Sequence, residues 1–264
     1  MTTESAPSLL NSLRIQRRVL HALLMREIIT RFGRENLGVL WLIVEPMVFT
    51  LGVTTLWTAA GLHHGSPIPI VAFAVTGYSS VLMWRNSASK ASSAVIQNQS
   101  LLYHRNVHVI DVLITRTLLE IGGATGSFII LSFFFIYIGW MPPPVDLLQV
   151  LFGWFMLAWF GTCLALIIGA ATAFSEIAER LWHPTAYLLF PLSGAAFMVE
   201  WLPSNMQKLV LLLPMVHGTE MLRQGYFGNV VRTHYDVGYM GSFCLVMSLA
   251  ALYLVNQAGR RLEF

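Results

Sequence analysis

The sequence predicts an all-α polytopic membrane protein: six transmembrane helices, an N-terminal amphipathic interface helix, and a re-entrant gate hairpin before the last span. Three observations predict it. The chain divides into six long apolar runs separated by polar gaps. Charged residues make up 11% of its 264 residues and apolar residues 56%, whereas soluble domains carry roughly 25% charge, so a water-soluble chain of this length could not cover its surface. The basic residues fall in alternate gaps: Arg14, Arg17, Arg18, Arg26, Arg31 and Arg34 before the first run, Arg85, Lys90, Arg105 and Arg116 after the second, Arg180 between the fourth and fifth, and Arg260 and Arg261 at the end. Residues 61–66 and 141–146 hold none. That alternation follows the positive-inside rule with both termini cytoplasmic, and predicts a multi-pass protein of the bacterial inner membrane.

Residues 1–36 read as a cytoplasmic helix lying in the membrane surface. Leu9, Leu13, Leu20, Leu24 and Ile28 recur at helical spacing, Arg14 and Arg18 fall off that stripe, and Gln16 and Arg17 intrude on it. This stretch is polar and Arg-rich, so no cleavable signal peptide is expected and the first span serves as signal anchor. The transmembrane domain then occupies residues 37–264. A helix needs about 20 apolar residues to cross the hydrocarbon core, and the spans fall at 37–60, 67–84, 118–140, 147–174, 183–199 and 237–255. The first is broken only by Glu45 and the fourth carries no charge, while the fifth is the weakest, with Pro184 and Pro191. Trp41, Trp57, Trp84, Trp140, Trp182 and Trp201 stand near span ends, as interfacial aromatic belts require. Gly122 and Gly126, and Gly161, Ala165 and Gly169, form small-residue stripes that let helices approach closely, within the chain or between subunits.

Lys208, Arg223 and Arg232 break the charge alternation. They belong to residues 204–227, which read as two short helices: a capping-box pattern Ser204-Asn205-Met206-Gln207 opens the first, Pro214 stops it, and the second runs over 216–227. Each is too short to cross a bilayer, which predicts a re-entrant hairpin on the outer side, shielded by protein or lining a cavity.

No catalytic constellation emerges. The two lysines, Lys90 and Lys208, follow no glycine-rich loop, so the chain has no P-loop and any ATP is bound by another polypeptide. The basic pI of about 9.0 belongs to juxtamembrane residues, which topology and anionic lipid explain without nucleic acid. Cys163 and Cys244 lie within spans at no ligand-like spacing, and read as small buried side chains. His217 and Glu220 stand at i, i+3, which suits either a metal pair or a local hydrogen bond; His104 with His108, and His63-His64, read as solvated pairs. Glu45-Pro46 is the sharpest oddity. A carboxylate about 12 Å into a span faces a pathway, a hinge or a structural partner, because a charge near the helix centre costs roughly 2.5–3.5 kcal/mol. Two cytoplasmic stretches suit docking to a motor: 97–111, offering Leu101, Leu102, Tyr103 and Arg105, and 175–182, a short helix loosely capped by Ser175 and carrying Glu176 and Glu179.

Arg26-Glu27-Ile28, Arg31-Phe32-Gly33-Arg34, Leu37-Gly38-Val39-Leu40-Trp41 and Glu45-Pro46, together with Pro214-Met215-Val216-His217-Gly218-Thr219-Glu220-Met221-Leu222-Arg223-Gln224-Gly225-Tyr226-Phe227-Gly228, closely resemble the permease subunits of type-2 ABC polysaccharide exporters. The family often has Asn-Pro where this chain has Leu213-Pro214. Length and short outer loops resemble the capsule branch more than the O-antigen branch. The resemblance implies a half-transporter that pairs with a second copy and two ATPase subunits, which hold the ATP and Mg; this chain needs no cofactor. It implies a coupling helix within 97–111, a second contact at 175–182, and a periplasmic gate at 204–227 that includes Pro214, His217, Glu220, Arg223 and Tyr226. It also implies a lipid-linked acidic polysaccharide as cargo, with a periplasmic adaptor and an outer-membrane channel as further partners.

Sugar rings stack on aromatic faces while their hydroxyls seek polar partners, so span two, with Thr76, Tyr78, Ser79, Ser80 and Trp84, is the expected wall of the path. Glu45 is a further wall candidate. Arg14, Arg17, Arg18, Arg31 and Arg34 either attract an anionic glycolipid head or serve topology alone. A path wide enough for a glycan is expected between two copies. Export of O-antigen, a teichoic-acid-like polymer or another lipid-linked substrate is the alternative within transport. An integral membrane transferase would need His or Asp clustered at one face, and a secondary transporter inverted repeats; the sequence offers neither.

Overall fold

The structure, a computed structural model, describes residues 9–32, 38–61, 68–102 and 107–262, with side chains over 14–30, 40–61, 68–102 and 107–261. Among them the helices run in the order α1 (Leu9–Phe32), α2 (Gly38–Ala59), α3 (Ile70–Ser92), α4 (Ala94–Gln97), α5 (Gln99–Leu102), α6 (Val109–Tyr137), α7 (Leu147–Phe174), α8 (Glu176–Leu192), α9 (Ser204–Val210), α10 (Pro214–Phe227) and α11 (Val237–Leu262), with no strand among the described residues. Single 3₁₀ turns occupy Val199–Trp201 and Gly228–Val230.

The long apolar helix α7 is the hub. Asp146 caps its start by accepting from Gln149 N at 3.1 Å, and α3, α6, α8, α10 and α11 all pack on it. Close packing follows from glycines eight residues apart on one face. A Cβ on Gly153 would sit 2.7 Å from Leu222 N of α10, and one on Gly161 2.9 Å from Trp84 Cα of α3. Gly169 continues the stripe against Leu113 of α6 and Ala91 of α3. The stripe therefore serves packing within the chain. Gly161→Val is expected to force α3 and α7 apart and to remove the sharp monodisperse peak on size exclusion, because the Trp84 backbone cannot yield as a flexible side chain can.

Among the described residues, four helices are long and apolar enough to cross a bilayer, within Leu40–Ala59, Val109–Tyr137, Leu147–Phe174 and Val237–Arg261. The runs expected to form spans two and five lie in α3 and α8, which fall short for different reasons. α3 is long but carries Thr76, Ser79, Ser80, Arg85 and Lys90; α8 has 17 residues with Glu176, Glu179 and Arg180 in its first turns. α3 is nevertheless largely buried, packed by α2, α6, α7, α8 and α10. Three of its buried hydroxyls turn back onto their own helix, Thr76 Oγ1 donating to Ala72 O at 2.8 Å, Ser80 Oγ to Gly77 O and Ser87 Oγ to Met83 O, both at 2.7 Å.

Boundaries shift where polar turns prolong a span. α3 runs to Ser92 and α6 begins at Val109, so both project beyond their apolar runs. Residues 175–182 are the cap and first turns of α8 and no separate helix; Ser175 accepts from Ile177 N at 3.2 Å. The expected capping box at Ser204 does not form: Pro203 is the N-cap and Gln207 Nε2 turns to Leu202 O at 2.9 Å. Pro214 does not stop that helix, which already ends at Val210; it opens α10 as its first residue, where its missing N–H leaves no bond unmade.

Candidate functional site

α2, α3 and α8 enclose an aromatic seam. From the end of the bundle where α3 finishes, it begins at Glu45 of α2, whose Oε1 lies 3.7 Å from Lys90 Nζ of α3. One turn on, Phe49 meets Tyr78 and Phe190, each with ring centroids 6.1 Å away, and Tyr78 meets Phe190 at 5.5 Å. Arg85 lies over Phe49 at 5.7 Å and over Phe190 at 5.1 Å. Further along, Trp57 stacks on Phe73 at 5.9 Å and meets Tyr78 edge-on at 5.4 Å, and Phe73 meets Trp201 at 5.0 Å. Offset and edge-on geometries are the favourable ones for aromatic quadrupoles. Phe49 is exposed and Trp57, Phe190 and Trp201 half-buried, so one side of this ribbon remains open.

Arg223 of α10 closes the far end of the seam. Fully buried, its guanidinium lies 4.0 Å from the Phe73 centroid and donates to the carbonyls of Gly194 (2.6 Å), Ala195 (2.9 Å) and Phe197 (2.7 Å) just beyond α8. Gly77 makes room for it: a Cβ there would come within 2.5 Å of both Ala195 O and an Arg223 nitrogen. The other α10 residues tie down neighbouring backbone in the same way. Glu220 accepts from Val199 N (3.3 Å) and His234 N (3.0 Å). His217 pairs through Nε2 with Leu211 O (2.7 Å) and accepts at Nδ1 from Asp236 N (2.9 Å), which defines the tautomer with its proton on Nε2. Tyr226 donates to Pro142 O at 2.6 Å. His217 and Glu220 thus hold backbone across the hairpin, and no cluster of three metal-binding side chains occurs among the described residues.

At the opposite end, α1 is knitted to α4–α6. Arg116 of α6 pairs with Glu27 of α1 and donates to Gln97 Oε1 at 3.3 Å; Arg26 donates to Asn98 Oδ1 at 2.8 Å. Gln16, which interrupts the apolar stripe, donates to Asp111. Its intrusion is a helix-docking contact. Glu27→Ala removes the carboxylate paired with the buried Arg116, with Glu120 the carboxylate that still acts on it, and is expected to destabilise the protein by about 1–3 kcal/mol, read as a lower melting temperature; Glu27→Gln, which keeps an acceptor, loses less.

The candidates from sequence therefore separate. Tyr78 and Glu45 join the seam, but Trp84 does not line it: fully buried, it packs against Phe160 and the Gly161 backbone on the other side of α3. Ser79 is also buried away from open space. These two placements correct the expected wall. Pro214, His217, Glu220, Arg223 and Tyr226 all lie buried in α10, which is enclosed on nearly every side. Leu101 and Leu102 are half-buried, Glu176 is exposed and pairs with Arg180 at 3.4 Å, and Glu179 is half-buried. Arg14 and Arg18 point to the surface of α1. The side chain of Arg31, together with Arg34, Tyr103, Arg105, His63, His64 and His104, lies outside the described residues. Sequence reasoning missed Phe49, Trp57, Phe73, Arg85, Phe190 and Trp201. One signal was available: Tyr78 and Arg85 are seven residues apart, which places them on one helix face.

Residues 18–227 match the family model described as ABC-2 type transporter. The chain is 44% identical over 256 residues to the capsule polysaccharide export inner-membrane protein CtrC of Neisseria meningitidis serogroup A, covering 97% of each. It is 42% identical over 252 residues to the capsule polysaccharide export inner-membrane protein BexB of Haemophilus influenzae, covering 96% of this chain and 95% of that protein. A more distant relative is the polysialic acid transport protein KpsM of Escherichia coli, 27% identical over 249 residues, covering 91% and 93%.

Proposed function

The chain belongs to the ABC-2 type transporter family, and from that premise we propose that it is the transmembrane subunit of an ATP-driven exporter moving lipid-linked capsular polysaccharide across the inner membrane. The observation that carries the reading is the relationship, over nearly the whole chain, to proteins named for capsule polysaccharide export. The chain has no P-loop, so ATP and Mg sit in two partner ATPase subunits.

In this reading α2, α3, α6, α7, α8 and α11 all span the membrane with both termini cytoplasmic. The polar α3 is tolerated because its neighbours shield it. α1 lies at the inner surface, with Arg14 and Arg18 toward the headgroups and Arg31 and Arg34 as further candidates to meet the anionic glycolipid head. The ATPases dock on 97–111 and on the start of α8, engaging Leu101, Leu102, Tyr103, Arg105, Glu176 and Glu179. The α9–α10 hairpin forms the outer gate, with α10 as its fixed frame.

The glycan moves along the aromatic seam. Flat rings offer stacking faces to successive sugars and bind no single sugar tightly enough to halt it. The seam has one open side, which a second copy closes into a channel. A periplasmic adaptor and an outer-membrane channel receive the polymer. Deleting the gene in its host tests the assignment: capsular polysaccharide should disappear from the cell surface and accumulate inside, and the intact gene should restore it. Unchanged surface polysaccharide would refute the reading.

A further inference from the structure

The described residues include five buried or half-buried lysines and arginines, and four of them have an oxygen acceptor. Arg223 holds three carbonyls, Arg116 holds Glu27 and Gln97, Arg26 holds Asn98, and Lys90 faces Glu45. Arg85 differs. Among the described residues its guanidinium lies over the rings of Phe49 and Phe190 at 5.7 and 5.1 Å, with the Tyr187 phenol close enough to act on its charge, and pairs with no carboxylate. A cation–π contact occupies no hydrogen-bond acceptor, so it leaves the N–H donors of the guanidinium to seek one. A half-buried cation whose neighbours are aromatic is oriented but not neutralised, and its planar fork matches carboxylate and phosphate oxygens in pairs.

Its place in the seam adds to this. Arg85 lies on α3 between the Lys90–Glu45 pair and the run of rings that starts at Phe49, Tyr78 and Phe190. Five residues separate it from Lys90, about 7.5 Å along the helix, so an anion on Arg85 already stands beside the first stacking faces. Lys90 and Arg85 together outweigh Glu45, leaving this end of the seam positive. Arg223, the cation at the opposite end, is fully buried and already donates to three backbone carbonyls, so no cargo anion reaches it.

Building on the export reading, we propose that Arg85 is the anion-reading residue of the pathway, pairing with carboxylate or phosphate oxygens of the cargo while Phe49 and Phe190 hold its guanidinium flat. The anion comes either from acidic sugars along the polymer or from the phosphate of the lipid anchor. The site accordingly prefers a charged glycolipid to a neutral one of the same shape.

The test uses the whole complex of this chain with its ATPase in phosphatidylcholine nanodiscs, which present no anionic lipid. Two matched probe pairs are titrated: an oligogalacturonate against its carboxyl-reduced neutral counterpart, and a polyprenyl phosphate against the corresponding polyprenol. Wild type should bind the charged member of at least one pair about tenfold more tightly. Arg85→Gln should bring that probe down to the affinity of its neutral counterpart, and Arg85→Lys, which keeps the charge without the fork, should retain part of the preference. Preference in the saccharide pair identifies the sugar carboxylates as the source; preference in the lipid pair identifies the anchor phosphate. Charge preference that survives in Arg85→Gln, or its absence from both pairs while the neutral saccharide still binds, overturns the proposal and leaves the seam standing. Failure of both saccharides to bind removes the seam itself, and the proposal with it.

Discussion

Arg223→Ala is expected to leave almost no folded protein. The substitution strips the donors from three carbonyls at Gly194, Ala195 and Phe197 and removes the cation over Phe73. A buried acceptor left without a partner costs about 1–3 kcal/mol. Three together rival the about 5–15 kcal/mol that separates folded from unfolded chains. The segment after α8 then keeps only its weaker ties to α10, through Glu220 and Thr219, and the far end of the seam opens. Fluorescence-detected size exclusion of a tagged chain should show aggregate or no peak. Arg223→Lys, which keeps the charge but not the planar fork, should give an intermediate yield. A sharp wild-type peak for Arg223→Ala would show that the three carbonyls find other donors, and that α10 is not the fixed frame of the gate.

The second large effect is on transport with the fold retained. Trp57→Ala combined with Phe190→Ala removes two half-buried rings from the open side of the seam while leaving the α3–α7 core intact. If each ring contributes about 1 kcal/mol of stacking, their joint loss weakens glycan binding about 30-fold. The double variant should elute with its ATPase as wild type does, and surface capsule should fall by at least an order of magnitude. The control is Phe155→Ala on α7, an exposed ring outside the seam, for which capsule display should persist. Equal losses from both changes would argue against a path along α2, α3 and α8.

The parts of this molecule legible in its sequence are those fixed by local pattern. The run 147–174 becomes α7 residue for residue, and the start of α11 at Val237 also falls where expected, because an uninterrupted apolar run allows only one element. The charge exception at Arg223 pointed to a structured element, and α10 is one. The seam was not legible, because its rings come from α2, α3, α8 and the turn at Val199–Trp201, and no local pattern reports that these four meet. Trp57 and Trp201 looked like interfacial anchors by position alone. Trp84 looked like a pathway residue because α3 is polar, yet it lies about 100° around the helix from Arg85, on the side that packs against Gly161. Residue type had suggested a sugar-binding wall; the helix face decides which aromatics can form it. Pro214 misled for a similar reason: proline suits a helix start as well as an end, and only the early stop at Val210 distinguishes the two.

The most direct measurement of the central claim is ATP hydrolysis by this chain assembled with the ATPase proposed as its partner, in nanodiscs, with and without the purified lipid-linked capsular glycan. The account predicts a stable complex whose hydrolysis rate rises when the glycolipid is added and stays flat with the lipid-free, neutral-sugar counterpart. A stable complex whose rate ignores the glycolipid would contradict it.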